Sequence, residues 1–146
     1  MIKKLKTFRR LSASRKAMIF QAFGLSVYTW VLFTFFKRFA KFGETINASG
    51  TTHKRYGTKA ADISFAINTV SRLVPWKNVC RHQAYQAKML CNYYKIPCLI
   101  FIGFKKDTDQ NKIQAHAWTV ADEKIITGFC NPKEYIVQSI YRNKWQ

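Results

Sequence analysis

Residues 78–104, NVCRHQAYQAKMLCNYYKIPCLIFIGF, change from a helical pattern to a strand pattern and decide the fold class. Asn78 is a suitable N-cap, and the residues after it predict a helix because small and apolar side chains recur every third or fourth position. The residues of this stripe are Cys80, Ala84, Ala87, Cys91 and Tyr94. Residues 95–97, Lys-Ile-Pro, end the helix, since proline cannot continue it. Residues 98–104 are apolar, β-branched and aromatic, which predicts a buried strand.

The chain on either side of this stretch extends the same order of elements. Upstream, a helix is predicted from Thr58 until Pro75 stops it, because apolar residues repeat at helical spacing. Those residues are Ile63, Ile67, Val70 and Val74. Downstream, a polar loop at 105–112 precedes strands at 113–121, 124–127 and 135–141. Helices followed by an antiparallel meander indicate an α+β fold, with N-terminal helices and a small antiparallel sheet.

The N-terminal part contains a long uncharged segment. Residues 17–36 carry no charge and follow the basic stretch 1–16, with Ser12 or Ser14 as a candidate N-cap. Two alternatives stay open, a helix packed on the rest of the protein and contact with a membrane through residues 1–41. A signal peptide is disfavoured, because no small-residue cleavage site follows.

Two segments are therefore predicted. Residues 43–57 are polar and contain three glycines, which is typical of a linker. We expect a basic, apolar N-terminal helix and linker at 1–57 and a catalytic domain at 58–146.

The formal charge of the 146-residue chain is +18, and most of it lies near the N-terminus. Residues 1–60 hold 13 Lys and Arg and one acid, Glu44. This excess favours anionic partners. The chain lacks any recognisable nucleic-acid-binding motif, so we expect no nucleic acid.

The spacing of the four cysteines is not that of a zinc site. The chain is also apolar enough to form a core, so it does not need disulfides for stability. We therefore expect no metal, no cofactor and a reducing, cytoplasmic environment, with membrane association as an addition that the basic N-terminal segment would allow. Cys91 and Cys98 fit better as small buried hydrophobes.

Cys80 and His116 are the candidate catalytic residues. Cys80 falls in the first turn of its predicted helix, where unpaired backbone N–H groups and the helix dipole favour a thiolate and can stabilise an oxyanion. His116, in the strand sequence QAHAW, can act as general base and then as general acid. His82 points off another helix face and His53 lies in the linker, so neither is a good base. The pattern is that of a papain-type site.

Residues 75–128 resemble the transglutaminase-like cysteine peptidases that remove the leader from lasso-peptide precursors. That family has a cysteine opening an Ala- and Leu-rich helix, a G-I-P-like turn, an apolar strand ending in I-G, a polar loop and A-H-A-W. The matching positions are Cys80, residues 95–97, Ile102-Gly103 and residues 115–118. The basic start, apolar helix and linker also resemble the short members of the family.

The resemblance implies a transglutaminase- or papain-like fold and hydrolysis of a peptide bond in a precursor peptide. By this resemblance, Cys80 would be the nucleophile and His116 the base. A partner synthetase related to asparagine synthetase would then close the lactam. Short members lack an N-terminal recognition domain of winged-helix type, so we expect a separate recognition protein.

The sequence departs from the family at the third catalytic position. Many members have an aspartate about a dozen residues after the histidine, where this chain has Gly128. Asp122 lies at the predicted hairpin tip, too far along the strand, so the orienting group should come from residues 127–131. We predict Asn131 by analogy with Cys-His-Asn sites, with a backbone carbonyl as the alternative. A catalytically weak or inactive transglutaminase-like binding module is the alternative function.

Overall fold

Three helices precede an antiparallel sheet in the computed structural model of this chain, which describes residues 9–36, 42–46, 57–107 and 112–145. The helices are α1 (Ala13–Phe35), α2 (Thr58–Ser71) and α3 (Cys80–Tyr93), with a short 3-10 helix at Pro132–Glu134. The strands are β1 (Glu44–Thr45), β2 (Leu99–Asp107), β3 (Lys112–Ala121), β4 (Lys124–Thr127) and β5 (Ile136–Arg142). The predicted α+β class, helices followed by a small antiparallel sheet, is confirmed.

The N-cap of α3 lies one residue later than predicted, at Val79 instead of Asn78, and Cys80 is the first helical residue. The Asn78 side chain instead accepts a hydrogen bond from Gln86 Nε2 at 2.9 Å. At the other end, Lys95 adopts a left-handed backbone with φ of 57°. The backbone N–H of Ile96 donates to the Cys91 carbonyl at 2.8 Å, which closes a Schellman turn and directs the chain into β2.

The sheet has the order β1-β5-β2-β3-β4 in the described part of the chain, so β2 lies at its centre. The predicted meander holds for β2, β3 and β4, but β5 returns to pair with β2 rather than continuing beyond β4. The short strand β1, inside the predicted linker, pairs with β5 through Glu44 and Arg142. The predicted linker thus contains a two-residue edge strand, which forms because β5 offers free backbone groups there.

Several predicted features fall partly outside the described residues. These are the basic residues 1–8, the basic residues 37–41 that follow the apolar segment, the linker residues 47–56 and the loop residues 108–111. The flanks of that loop are strand instead, since β2 continues to Asp107 and β3 begins at Lys112.

Ser12 is the N-cap of helix α1, as predicted, and its side chain accepts a hydrogen bond from the Arg15 N–H at 3.3 Å. Met18, Ile19 and Ala22 are buried in the main core. Residues of α2, α3 and β4 complete this core, among them Ile63, Ile67, Leu90 and Ile126. By length and composition alone α1 could also cross a membrane.

A second, smaller core cluster lies at the other end of α3. Phe42, Ala84, Ile100 and Ala117 are buried together, and the half-buried Cys80 packs against them. Phe42 precedes β1 and Ala117 belongs to β3, so this cluster joins the N-terminal segment, α3 and the sheet. The start of α3 is thereby held against β2 and β3.

Candidate active site

Cys80 is the first residue of α3, as its predicted role requires. No side chain among the described residues caps this helix start, and its first turn contains no acid. The N–H groups of the first turn have no partner within the helix, and the positive end of the helix dipole lies at the thiol. The cysteine is half-buried and free of any disulfide. It therefore has the local environment of a nucleophile.

His116 lies on β3, directly opposite Gly103 of β2. Its Nε2 is 3.0 Å from the carbonyl oxygen of Gly128. A carbonyl oxygen can only accept a hydrogen bond, so in the neutral ring Nε2 carries the proton. Nδ1 is then the unprotonated nitrogen, which can act as a base. The contact therefore sets the tautomer and leaves Nδ1 to receive a proton.

Gly128 is suited to this contact because it has no side chain. Its φ is +67°, in the left-handed region. A Cβ built on it would lie 2.1 Å from the carbonyl oxygen of Ala117 and 2.9 Å from the Trp118 Cα. Only glycine lets the backbone approach β3 this closely.

The hairpin before Gly128 brings the carbonyl to this position. Ala121 pairs with Lys124 across the turn, which puts Asp122 at the hairpin tip as predicted. Asp122 and Glu123 both have positive φ values, 51° and 60°, which is the geometry of a two-residue hairpin turn. A bulge then shifts the register by one residue, so that Thr119 pairs with Thr127. Gly128 follows directly and lies within the predicted range of 127–131.

Residues 128–135 supply two contacts of His116, the Gly128 carbonyl and the ring of Tyr135, which lies 5.4 Å from that of His116. Burial raises the pKa of the Cys130 thiol in this segment, and the charge of Glu134 raises it further while that of Lys105 opposes the shift. Among the described residues, the Cys80 thiol and the His116 ring make no hydrogen bond to each other. Such bonds are often long in a free enzyme and shorten when substrate binds.

Asn131 uses its side chain within its own turn. Its Oδ1 accepts a hydrogen bond from the Lys133 N–H at 3.3 Å, and its Nδ2 donates to Glu134 at 3.2 Å. The residue is exposed and caps the 3-10 helix. The structure thus brings Gly128, rather than Asn131, to the ring of His116.

Two aromatic residues beside His116 were not singled out from the sequence. Trp118 lies two residues along β3, and its ring centroid is 6.3 Å from that of His116. The period of a strand could have indicated this neighbour. Tyr135 could not be found this way, because only the return of β5 to β2 brings it to His116. The Trp118 and Tyr135 rings also contact each other, with centroids 5.7 Å apart, so the imidazole belongs to a cluster of three rings.

An ion pair holds the turn that carries Tyr135. Lys105 Nζ lies 3.2 Å from Glu134 Oε2. Hydrogen bonds from Lys105 and Asn131 lower the pKa of Glu134, so the carboxylate stays ionised at neutral pH. The Lys105 ammonium also lies 5.2 Å from the centre of the Tyr135 ring. These exposed contacts link β2 to the segment over His116.

In the described residues no three His, Cys, Asp or Glu side chains are grouped as metal ligands. All four cysteines are free thiols. Burial and a hydrogen bond to Cys98 hold the pKa of Cys91 well above its ordinary value, so this thiol stays protonated and unreactive. Cys80 and Cys130 are the half-buried thiols of the chain.

The comparison with known proteins agrees with this architecture. No curated protein and no solved structure gives a significant match. The sequence model of the transglutaminase-like superfamily matches residues 29–139, which run from the middle of α1 into β5 and include Cys80, His116 and Gly128. Since the match covers most of the chain, this protein belongs to the transglutaminase-like superfamily.

Proposed function

We propose that this protein is a cysteine peptidase that removes the leader from a lasso-peptide precursor. The observation that carries the peptidase assignment is the hydrogen bond between His116 and Gly128, which leaves Nδ1 as a base in a domain whose Cys80 opens a helix. The precursor class comes from the resemblance of residues 75–128 to leader peptidases.

The proposed reaction begins with transfer of the Cys80 proton to Nδ1 of His116. The thiolate attacks the scissile carbonyl carbon, and N–H groups of the first turn of α3 stabilise the oxyanion. The imidazolium then protonates the leaving amine as the peptide C–N bond breaks, which leaves a thioester on Cys80. His116 next takes a proton from water as the water oxygen attacks the thioester carbon. The C–S bond then breaks, the leader leaves with a free carboxyl group, and the imidazolium returns its proton to the Cys80 thiolate.

In this proposal the carbonyl of Gly128 takes the orienting role of the family's aspartate. It holds the tautomer and the plane of the ring through the Nε2–H bond. A carbonyl carries a partial charge instead of a full one, so it stabilises the imidazolium less than a carboxylate does. We therefore expect slower turnover than in members that have the aspartate.

The resemblance supplies the proposed partners. A separate recognition protein of winged-helix type would bind the leader and present the precursor. A lactam synthetase related to asparagine synthetase would consume the released core. The face that meets these partners is a subject for experiment.

The direct test is cleavage of the precursor in the presence of the recognition protein, followed by mass spectrometry. We expect Cys80→Ser and His116→Ala each to abolish cleavage while circular dichroism shows a folded protein. Cys130→Ser is the matched control, because it removes the other half-buried thiol and should leave cleavage intact. Full activity in Cys80→Ser would exclude the peptidase.

A second experiment tests the pairing of Cys80 with His116 without any precursor. Alkylation of Cys80 by iodoacetamide, measured against pH in a Cys130→Ser background, reports thiolate formation. In the proposed site His116→Ala moves this profile to higher pH. An unchanged profile would mean that the imidazole does not act on the thiol.

The alternative is a transglutaminase-like binding module without catalysis. The observation that favours it is the partner of His116, which is a backbone carbonyl where related enzymes have a carboxylate. A protein of this kind would bind the precursor or the recognition protein with equal affinity before and after Cys80→Ser, and would release no leader. Binding together with cleavage would reject it.

A further inference from the structure

From Ala17 to Phe35, the outward face of α1 carries no charge and is mostly apolar. Its exposed positions follow the helical period and include Ala17, Phe20, Phe23, Gly24, Tyr28 and Phe35. Phe20 and Phe35 are each 67% exposed. A face of this length without a charge is unusual on a protein surface and marks an interaction site.

The polar residues of α1 lie on the opposite face and bind the rest of the protein. Tyr94 donates to Gln21 at 2.6 Å, Trp76 donates to Ser26 at 3.0 Å and Gln86 donates to Thr29 at 2.8 Å. These three polar residues interrupt the apolar run in the sequence. A helix that crossed a bilayer alone would lose every one of these bonds.

An ion pair adds to this attachment at the start of the helix. Arg15 Nε lies 2.6 Å from Asp62 on α2. Together with the buried side chains of Met18 and Ala22, it holds α1 along the domain. The apolar face of α1 is therefore part of the surface of the folded domain, against which the helix packs along its length.

The charges around this face are of one sign. Residues 1–43 contain ten Lys and Arg and no acid. Arg9 and Arg10 lie before α1 and are exposed, and Lys37, Arg38 and Lys41 follow it in the sequence. Two copies meeting through this face would bring basic ends together, which disfavours self-association. An anionic surface complements both ends.

We propose that the exposed face of α1 docks this protein on the surface of an anionic lipid bilayer, with the helix lying in the plane of the interface. Aromatic side chains at headgroup depth and basic residues at both ends are the features of such helices. The occupant is lipid rather than protein, because the uncharged face spans most of α1, exposed Arg9 and Arg10 precede it, and the sequence after the helix is also basic. This inference is independent of the catalytic proposal.

Sedimentation with vesicles tests the proposal on the intact protein. We expect binding to vesicles of phosphatidylglycerol and phosphatidylcholine and much weaker binding to phosphatidylcholine alone. Phe20→Gln with Phe35→Gln should lower the affinity at least about tenfold, because each side chain loses apolar burial. Ile113→Gln with Ile136→Gln is the matched control, since both residues are exposed on strands, and it should bind as the wild type does.

Arg9→Gln with Arg10→Gln tests the charge contribution separately. It should weaken binding and make the remaining binding less sensitive to salt. Circular dichroism checks that each variant is folded, and Cys80→Ser should bind vesicles normally.

Three results would overturn the proposal. Equal binding to neutral and anionic vesicles would remove the role of charge. A dimer that forms in the wild-type protein and is lost in the Phe20→Gln and Phe35→Gln variant would identify a second copy as the occupant. Retention on membranes through both high salt and alkaline carbonate would indicate a spanning helix.

Discussion

The Nε2 atom of His116 lies 3.0 Å from the carbonyl oxygen of Gly128. This contact gives the imidazole a fixed tautomer without a carboxylate, because the carbonyl can only accept. It depends on a positive φ at Gly128 and on the close passage of that residue over β3. In the proposed reaction the orienting role therefore falls to the backbone carbonyl of Gly128.

Gly128→Asp is expected to destabilise the protein rather than restore a catalytic carboxylate. The added Cβ would collide with the Ala117 carbonyl, and the backbone conformation is strained for any other residue. We expect the free energy of unfolding in urea to fall by more than about 2 kcal/mol.

Gly24→Ala is the matched control for this change. A Cβ at Gly24 meets nothing within 4 Å, and the residue lies inside α1. Alanine there should raise stability by about 0.5–1 kcal/mol. A stable and more active Gly128→Asp protein would contradict the role given to the Gly128 backbone.

Asn131→Ala separates the two candidates for the orienting group. The amide of Asn131 binds Glu134 and the Lys133 N–H, so its loss should loosen the 3-10 turn and leave the tautomer of His116 unchanged. We expect kcat for leader cleavage to fall less than about tenfold. A loss near the ~10⁴-fold typical of removing the third member of a triad would assign the role to Asn131.

Lys95→Gly should stabilise the protein. Lys95 has a φ of 57° in the turn that ends α3, a conformation that glycine adopts without strain. We expect a gain of up to about 1 kcal/mol in urea unfolding, reduced slightly by loss of the exposed contact with Trp145. Lys88→Gly inside α3 should instead lower stability, and equal effects of the two changes would contradict the turn geometry.

The pH dependence of stability should report on His82. Burial lowers the pKa of this imidazole below its usual 6.5, although its bond to the Lys77 carbonyl opposes the shift. The unfolded chain therefore binds the proton more readily, so stability is full above pH 6.5 and falls as the pH drops below it.

Urea unfolding between pH 7.5 and 5.5 measures this effect before carboxylates titrate appreciably. His82→Phe keeps an aromatic ring against Phe33, with which His82 stacks at 4.9 Å, and should flatten the dependence. An identical slope in the variant would show that another group is responsible.

Much of the fold could be predicted because it depends on local patterns. The apolar stripe of α3 and the run in β2 repeat with the periods of a helix and a strand. Cys80 could be placed at a helix start because the stripe begins there. The Asp122-Glu123 turn and the pairing of Ala121 with Lys124 also follow from neighbouring residues.

Other features depend on residues that are distant in the chain. The pairing of Glu44 with Arg142 and the return of β5 to β2 have no local signal. The choice between Gly128 and Asn131 as the partner of the His116 ring has no local signal either. It depends on a one-residue bulge in β4 and on the hydrogen bonds of the 3-10 turn. The face of α1 that is buried likewise depends on Tyr94, Trp76 and Gln86.

The sequence by itself determined the order of most elements, the position of Cys80 at a helix start and of His116 on a strand, and the uncharged length of α1, since these are properties of composition and period. The tertiary structure decided which backbone carbonyl meets the imidazole and which side of α1 faces outward. Both outcomes come from packing between segments far apart in sequence, where register and close approach determine the partner.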